Sequence, residues 1–148
     1  MDHFPGDDIE NVFRWGRQIH RLNCCKDRIL ERHLEPYDIT AAQFKVLLLM
    51  KREGLTTSAE LCRFIVLDSG AMSRMLDRLE NKKMIKRVRC TTDRRQFYLE
   101  LTAQGQEFCR QIPLIAVKAF NDLLQPFTPA EFNEFDRMLT KLLVHAGF

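Results

Sequence analysis

The middle of the chain carries basic and hydroxyl side chains at spacings that suit a surface for nucleic acid. Arg74 and Arg78 are one helical turn apart, and Ser69 and Ser73 precede them. Apolar residues at the i, i+3, i+4, i+7 spacing predict a buried opposite face, with a helix start at Asp68 or Ser69; these residues are Met72, Met75, Leu76 and Leu79. Guanidinium and hydroxyl groups on the outer face of such a helix can bond phosphates and base edges in a DNA major groove.

A short basic hairpin is predicted directly after this helix. Residues 85–89 and 96–101 mix apolar and polar side chains in strand-like order, and residues 91–95 (TTDRR) form the predicted turn. Arg94 or Arg95 at the tip suits the negative potential of a minor groove, although arginines in a turn can also serve solubility alone. Residues 68–95 hold nine Lys/Arg and four Asp/Glu while the whole chain has a net charge of +3, so positive charge is concentrated here.

Two shorter helices are needed to position the basic helix. Thr40 is placed to cap a helix that continues to about Lys51, and Gly54 is suited to its end. Thr57 and Glu60 match a capping box for the next helix, and Thr57 is also a candidate DNA-contact residue. Two helices joined by so brief a turn, the second of them basic, predict a helix-turn-helix followed by a wing.

Long amphipathic helices are predicted at both ends of the chain. Residues 7–33 and 130–144 carry large apolar side chains at helical spacing. These helices either pack on their own domain or also cover a second subunit, and two apolar helices at opposite ends favour the second interpretation. A further helix from Ala103 to about Leu124 follows a Thr102 cap, and Pro113 inside it is expected to kink or break it.

Four segments resemble the MarR family, the multiple-antibiotic-resistance regulators, and its founding repressor in particular: DSGAMSRMLDRLENKKMIKR at 68–87, TTDRRQFYLELTAQG at 91–105, ITAAQFKVL at 39–47 and IHRLNCCKDRIL at 19–30. The resemblance covers nearly the whole chain. It implies one mainly α domain with a small β-wing, in which residues 40–102 form a winged helix-turn-helix. Residues 7–36 and 103–148 would form the dimerisation helices. In the Asp93-x-Arg95 segment of the wing, the family match selects Arg95 for the minor groove, with Asp93 bracing it.

The resemblance also implies a function and an effector. It implies a homodimer that binds a pseudo-palindromic operator in double-stranded DNA and represses stress or drug-resistance genes until a small phenolic acid releases it. By residue-to-residue match, Ser73 and Arg87 would form one effector site, and Ala71, Met75 and Arg78 another. A third possibility, as in relatives, is a site near Trp15, Arg17 and His20.

Composition excludes several other classes of protein. The 148 residues suit one domain, and the sequence shows neither a signal peptide nor an apolar run of about 20 residues for a membrane span, so a cytoplasmic protein is expected. Five cysteines without C-x-x-C spacing and four scattered histidines predict neither a disulfide framework nor a metal site. No Gly-rich phosphate loop or G-x-S-x-G motif is present, so neither an enzyme nor a cofactor is expected.

Two alternative functions remain at this point. The winged helix could be a protein-interaction module without DNA affinity, although its concentrated positive charge argues against this. Cys62 or Cys90 could make the protein a redox-sensing regulator, but isolated cysteines are more often structural. Glu80-Asn81 stand where the founding member has a cysteine. We expect Asp77 to orient Arg74 or Arg78 rather than to contact DNA.

Overall fold

The computed structural model describes residues 3–90 and 97–147. These residues form six α-helices, one short 3-10 turn between α1 and α2 (Glu35–Tyr37), and two β-strands. In chain order the elements are α1 (Ile9–Leu34), α2 (Ala41–Arg52), α3 (Ser58–Ile65), α4 (Ser69–Asn81), β1 (Ile85–Arg89), β2 (Phe97–Leu101), α5 (Ala103–Leu124) and α6 (Pro129–His145). The predicted fold class, mainly α with a small wing of two strands, is confirmed.

The chain divides into two compact units, each of which is described by itself. The core unit is Leu30–Ala116, and the terminal unit combines Met1–Ile29 with Val117–Phe148. Among the described residues, every buried hydrophobic side chain except that of Ala119 belongs to the core unit. None of the helices in residues 3–90 and 97–147 has the length and apolar content needed to cross a bilayer.

Side-chain caps define the helix starts in the core unit. The Thr40 hydroxyl accepts from the Gln43 backbone N–H, and the Gln43 side chain accepts in return from the Thr40 N–H, so α2 begins with a full capping box. Thr57 and Glu60 make the same box for α3, and Asp68 caps α4 through the Ala71 N–H at 2.8 Å. These contacts satisfy backbone donors that would otherwise lack partners at the helix starts. The predicted starts of all three helices are therefore confirmed.

The apolar faces of these helices meet in one core. Its largest fully buried side chains come from α1, α2, α3, α4 and β1: Leu34, Val46, Leu47, Leu61, Met72, Leu76, Leu79 and Ile85. Met75, predicted on the same face of α4, is only half-buried. Burial of α4 along one side leaves its other side exposed, which is the condition for contact with a partner.

The wing is attached to the helices by backbone contacts at its base. β1 and β2 pair antiparallel with Ile85 opposite Leu101 and Arg89 opposite Phe97. The Leu99 N–H donates to the Thr56 carbonyl oxygen at 2.7 Å, and the Thr102 N–H donates to that of Met84 at 3.1 Å. These bonds connect β2 and the start of α5 to the loop before α3 and to the start of β1.

α5 begins as predicted but does not break. The Thr102 hydroxyl accepts from the Gly105 N–H at 3.0 Å and so caps the helix. The helix then continues through Pro113 to Leu124, so of the two predicted outcomes the break is wrong and the kink stays a prediction. Proline removes one hydrogen bond from the helix interior, and the flanking turns are long enough to keep the helical path.

The terminal unit is helical but has almost no core of its own. A capping box between Thr128 and Glu131 starts α6 at Pro129, and the rings of Phe127 and Phe135 contact each other at 5.5 Å between centroids. Most of the large apolar side chains of this unit are exposed, among them Ile9, Phe13, Trp15, Ile19, Val117, Phe120, Met138, Leu142 and Val144. Such a surface is unusual for a unit that has no partner.

Candidate nucleic-acid interface

The outer face of α4 presents the predicted contact residues to solvent. Ser69, Ser73, Arg74 and Arg78 are all exposed. Within the described part of the chain, neither the Arg74 nor the Arg78 guanidinium makes an ion pair or hydrogen bond. A guanidinium has five donors in a fixed fork, so this face offers unused donors to phosphate or to base edges.

Thr57 has a different local role from the rest of this set. Its hydroxyl accepts from the Glu60 N–H at 3.3 Å and donates to a Glu60 carboxylate oxygen at 2.9 Å. The bond from the Thr57 hydroxyl to the Glu60 carboxylate, followed by those from the Thr56 and Thr57 backbone N–H groups, lowers the pKa of Glu60 below its ordinary value. The structure therefore explains Thr57 as a helix cap, and its contact with DNA stays a prediction.

Arg87 on β1 is bound to two carboxylates on α4. Its guanidinium contacts Asp77 Oδ1 at 2.6 Å through Nη2 and Glu80 Oε2 through Nη1, while its backbone N–H donates to Glu80 Oε1 at 3.1 Å. Burial lowers the pKa of Arg87, but the hydrogen bonds and the charges of Asp77 and Glu80 outweigh this and raise that pKa above its ordinary value. The expectation that Asp77 orients Arg74 or Arg78 is wrong, because its partner is Arg87.

Two other described cations of the wing, Lys86 and Arg89, have partners within the hairpin. Lys86 Nζ lies 2.9 Å from Glu100 Oε2, directly across the two strands. The Arg89 guanidinium lies over the Phe97 ring, 5.8 Å from its centroid, a distance typical of a cation–π contact. The predicted minor-groove residues at the tip, with their brace, lie outside the described residues: Asp93, Arg94 and Arg95.

A pocket of about 250 Å³ opens between α2 and α4. It brings together Ala71, Met75 and Arg78, which form one of the two effector sites implied by the resemblance. Ser73 and Arg87, the other implied pair, do not line it. The remaining lining residues are Thr40, Ala42, Gln43, Leu67 and Arg74. We call this space the α2–α4 pocket; its lining combines two guanidinium groups with apolar side chains.

Two polar residues were missed in the sequence: Gln43, which lines this pocket, and Lys82, which contacts Gln43. Gln43 is 4% exposed although it is polar, and Lys82 at the end of α4 reaches the Gln43 side chain at 3.4 Å and the Asp38 carboxylate at 3.1 Å. The T-x-x-Q spacing of Thr40 and Gln43 was a usable signal for the cap. The contacts of Lys82 were not visible, because they join residues about 40 positions apart.

The third implied effector site and the cysteines have simpler surroundings. Trp15, Arg17 and His20 are all exposed on α1. Cys62 is half-buried and Cys90 is buried. In residues 3–90 and 97–147, no three His, Cys, Asp or Glu side chains are grouped so that they could hold a metal ion.

Comparison with known proteins places this chain in a family. The family model described as "MarR family" matches residues 39–97, which run from just before α2 to the first residue of β2. The multiple antibiotic resistance protein MarR of Escherichia coli strain K12 is 36% identical over 138 residues, which cover 93% of this chain and 96% of that protein.

Solved structures of MarR match the fold of this chain over nearly its whole length. The reduced form of MarR from E. coli covers 97% of this chain and 99% of its own at 34% identity, with a TM-score of 0.80. A cysteine-to-serine variant of the same protein in complex with operator DNA covers 93% of this chain and 99% of its own at 36% identity, with a TM-score of 0.79. The chain belongs to the MarR family of transcriptional regulators.

Proposed function

We propose that this chain is a homodimeric, DNA-binding transcriptional repressor whose release from DNA is controlled by a small aromatic acid. The observation that carries the proposal is the exposed face of α4, where Arg74 and Arg78 have unused guanidinium donors beside Ser69 and Ser73. E. coli MarR, which is similar over nearly its whole length, has been solved with operator DNA. Repression of stress or drug-resistance genes in the cytoplasm belongs to the same proposal.

The chemistry of the α4 face fits a duplex. An α-helix fits the major groove, and bidentate arginine–guanine contacts are the commonest specific ones. The two serines are short donors suited to phosphate oxygens. Arg94 and Arg95 of the wing, braced by Asp93, would add contacts in the adjacent minor groove, where narrow A·T tracts attract arginine.

Dimerisation follows from the exposed apolar faces of the terminal unit. Val117 and Phe120 on α5 and Leu142 on α6 are each more than 45% exposed, and large exposed apolar side chains in such number are typical of protein interfaces. A two-fold dimer would present two copies of α4. The operator would then be pseudo-palindromic, with half-sites roughly one helical turn, about 34 Å, apart.

We place the effector in the α2–α4 pocket. An aromatic carboxylate could pair with Arg78 or Arg74 while its ring contacts Met75 and Ala71. Because the same two arginines face DNA in this proposal, effector and duplex would compete for their donors. Reciprocal linkage then requires that DNA also weaken effector binding. The pair Ser73 and Arg87, and the α1 residues Trp15, Arg17 and His20, stay predictions.

The test of DNA binding starts from a random-sequence duplex pool, from which the wild-type protein selects its own target. Fluorescence anisotropy then measures the Kd of the selected duplex across salt concentrations. We expect a steep salt dependence, with a loss of about one unit of slope for each phosphate contact removed. Arg74→Ala or Arg78→Ala should weaken binding by about tenfold or more, whereas Arg110→Ala, which removes an exposed arginine of α5 paired with Glu107, should not. A dimer that binds no duplex at low salt would instead be a protein-interaction module.

The effector is tested separately with benzoate and hydroxylated benzoates as probes. We expect these acids to release the selected duplex from the wild-type protein. Ala42→Leu, which fills the pocket from α2 without altering α4, should reduce the release and leave DNA affinity in place. If Ala42→Leu releases DNA as readily as wild type does, then the effector does not bind in this pocket.

A further inference from the structure

Arg87 connects two elements that have separate parts in the proposed contact with DNA. It belongs to β1 of the wing, while both of its carboxylate partners belong to α4, seven and ten residues earlier in the chain. The side chain is only 27% exposed, so the carboxylates and neighbouring residues cover most of it. A single residue thus bonds the wing to the helix that carries Arg74 and Arg78.

The contacts of Arg87 place its guanidinium between two carboxylates, which makes it a poor site for another anion. Nη1 contacts Glu80 and Nη2 contacts Asp77, while the backbone N–H takes the second oxygen of the Glu80 carboxylate. The remaining guanidinium N–H donors belong to a side chain that is only 27% exposed, and a phosphate or an aromatic carboxylate there would be repelled by Asp77 and Glu80. Bonds of this type between charged groups are about twice as strong as neutral ones.

The partners of Arg87 also matter for the charge of α4. Asp77 is 55% exposed and lies on the same helix as the two unpaired arginines. An uncompensated carboxylate at that position would be repelled by DNA phosphate, and the Arg87 guanidinium offsets this charge at 2.6 Å. Arg87 therefore holds the wing in place and neutralises the acidic side chains of α4 at the same time.

We propose that Arg87 is a positioning residue for DNA recognition, which fixes the wing against α4 through Asp77 and Glu80 and contacts neither phosphate nor effector. The inference rests on the proposed function, since it concerns the same DNA surface. It assigns Arg87 a role different from the effector contact that the family resemblance implies. It also assigns a role to Glu80, which binds Arg87 and lies in the region where the founding member has a cysteine.

Arg87→Lys separates geometry from charge. Lysine keeps the positive charge, but it is a compact point charge without the planar fork that binds two carboxylates at once. We expect this variant to bind the selected duplex about tenfold more weakly, which corresponds to about 1.4 kcal/mol, and an unrelated duplex within about twofold of wild type. The slope of log Kd against log salt should stay the same. Circular dichroism and the melting temperature check that the fold is kept.

A double-mutant cycle tests the bond to α4 directly. In the wild-type background, Asp77→Asn breaks the pair with Arg87, and DNA affinity should stay the same or fall. In an Arg87→Gln background it should raise affinity, because it removes a carboxylate that has lost its partner. Interaction between the two sites then makes the fold-changes depart from simple multiplication by about fivefold or more.

The neighbouring cross-strand pair provides the matched control. Lys86 and Glu100 form an ion pair of similar length on the same hairpin, but it joins β1 to β2 and not to α4. A cycle of Lys86→Gln and Glu100→Gln should give fold-changes in DNA affinity that multiply within about threefold. A strong coupling in this control pair as well would overturn the assignment, since any ion pair of the wing would then have the same effect.

Other outcomes overturn the inference in recognisable ways. If Arg87→Lys binds like wild type and Arg87→Gln lowers the salt slope by about one, then Arg87 contacts phosphate. If both variants bind DNA normally but no longer release it with benzoates, then Arg87 belongs to the effector site. If Arg87→Gln fails to fold, then the cycle is run with Arg87→Lys and Asp77→Asn, and simple multiplication there refutes the inference. Failure of the proposed function itself looks different, because the wild-type protein would then select no duplex at all.

Discussion

The core unit and the terminal unit are both helical, yet they place their apolar side chains in opposite ways. In the core unit, helix faces and a strand close around residues such as Leu47, Leu61 and Leu79, which are fully buried. In the terminal unit, the equally apolar α6 has no buried residue, and Leu142 is 57% exposed. Amphipathic pattern alone therefore does not tell where a face is buried.

The difference indicates what each unit needs for stability. Burial of a leucine side chain contributes about 1.5–3 kcal/mol relative to exposure, so the core unit gains much of its stability within one chain. The terminal unit has the side chains for a similar gain but no surface in the described monomer to supply it. Under the proposed function, a second copy supplies that surface, and the stability of this unit becomes dependent on protein concentration.

The largest contrast is expected from leucine truncation. Leu79→Ala should lower the free energy of unfolding by about 3 kcal/mol, because a fully buried leucine leaves a cavity. Urea unfolding at two protein concentrations should give the same loss. Leu142→Ala, its counterpart in α6, should cost an amount that depends on concentration. Equal and concentration-independent losses at the two sites would remove the distinction between the units.

Glycine-to-alanine substitutions should change stability in opposite directions in the two units. An alanine Cβ at position 105 would lie 2.0 Å from the Met84 carbonyl oxygen, whereas nothing lies within 4 Å of one at Gly16 on α1. We expect Gly105→Ala to cost about 2 kcal/mol through overpacking, and Gly16→Ala to stabilise by up to about 1 kcal/mol through helix propensity. Thermal unfolding measures both. A neutral Gly105→Ala would mean that α5 is free to move away from β1.

A new charge on α6 should act on assembly and not on the core unit. Leu142→Glu would place a carboxylate in the proposed interface, and we expect the dimer Kd to rise at least about tenfold, or about 1.4 kcal/mol. Sedimentation equilibrium gives the Kd. Asn133→Glu adds the same charge to the same helix at an exposed polar position, and it should leave the Kd within about twofold. A purely monomeric wild-type protein would contradict the dimer directly.

The same contrast shows how far the sequence is informative. Helix starts were predictable because Thr40, Thr57 and Asp68 act on backbone groups three residues away, and the period of the apolar residues revealed the helices. The partner of Asp77 was not predictable, because Arg74, one turn before it on α4, was the candidate that local spacing favoured. Arg87 becomes the partner of Asp77 only because β1 lies next to α4 in the folded chain. The α2–α4 pocket was likewise not predictable, because it lies between two helices and no local sequence pattern gives the distance between them.

Removal of a cap should have a moderate effect within the core unit. Thr57→Ala takes away the oxygen that accepts from the Glu60 N–H and the hydroxyl that binds the Glu60 carboxylate. We expect a loss of about 1 kcal/mol in the free energy of unfolding. Thr56→Ala is the control, because Thr56 contributes only backbone groups to the box. If Thr57→Ala weakens DNA binding more than its loss of stability explains, then Thr57 also contacts DNA.

The capping boxes should give the smallest effect, a dependence of stability on pH. The Thr57 hydroxyl, followed by the Thr56 and Thr57 N–H groups, lowers the pKa of Glu60. A carboxyl group with a lower pKa in the folded state stabilises the fold above its unfolded pKa, and this contribution is lost as the pH falls through the folded value. The stability of wild type relative to Glu60→Gln should therefore be constant near neutral pH and decrease in acid. Thr128 likewise lowers the pKa of Glu131 in the terminal unit. The stability of wild type relative to Glu131→Gln should therefore show the same pH dependence, but only while the dimer persists. A Glu60 difference that stays flat from neutral pH to about pH 3 would show that the capping bond contributes no net stability.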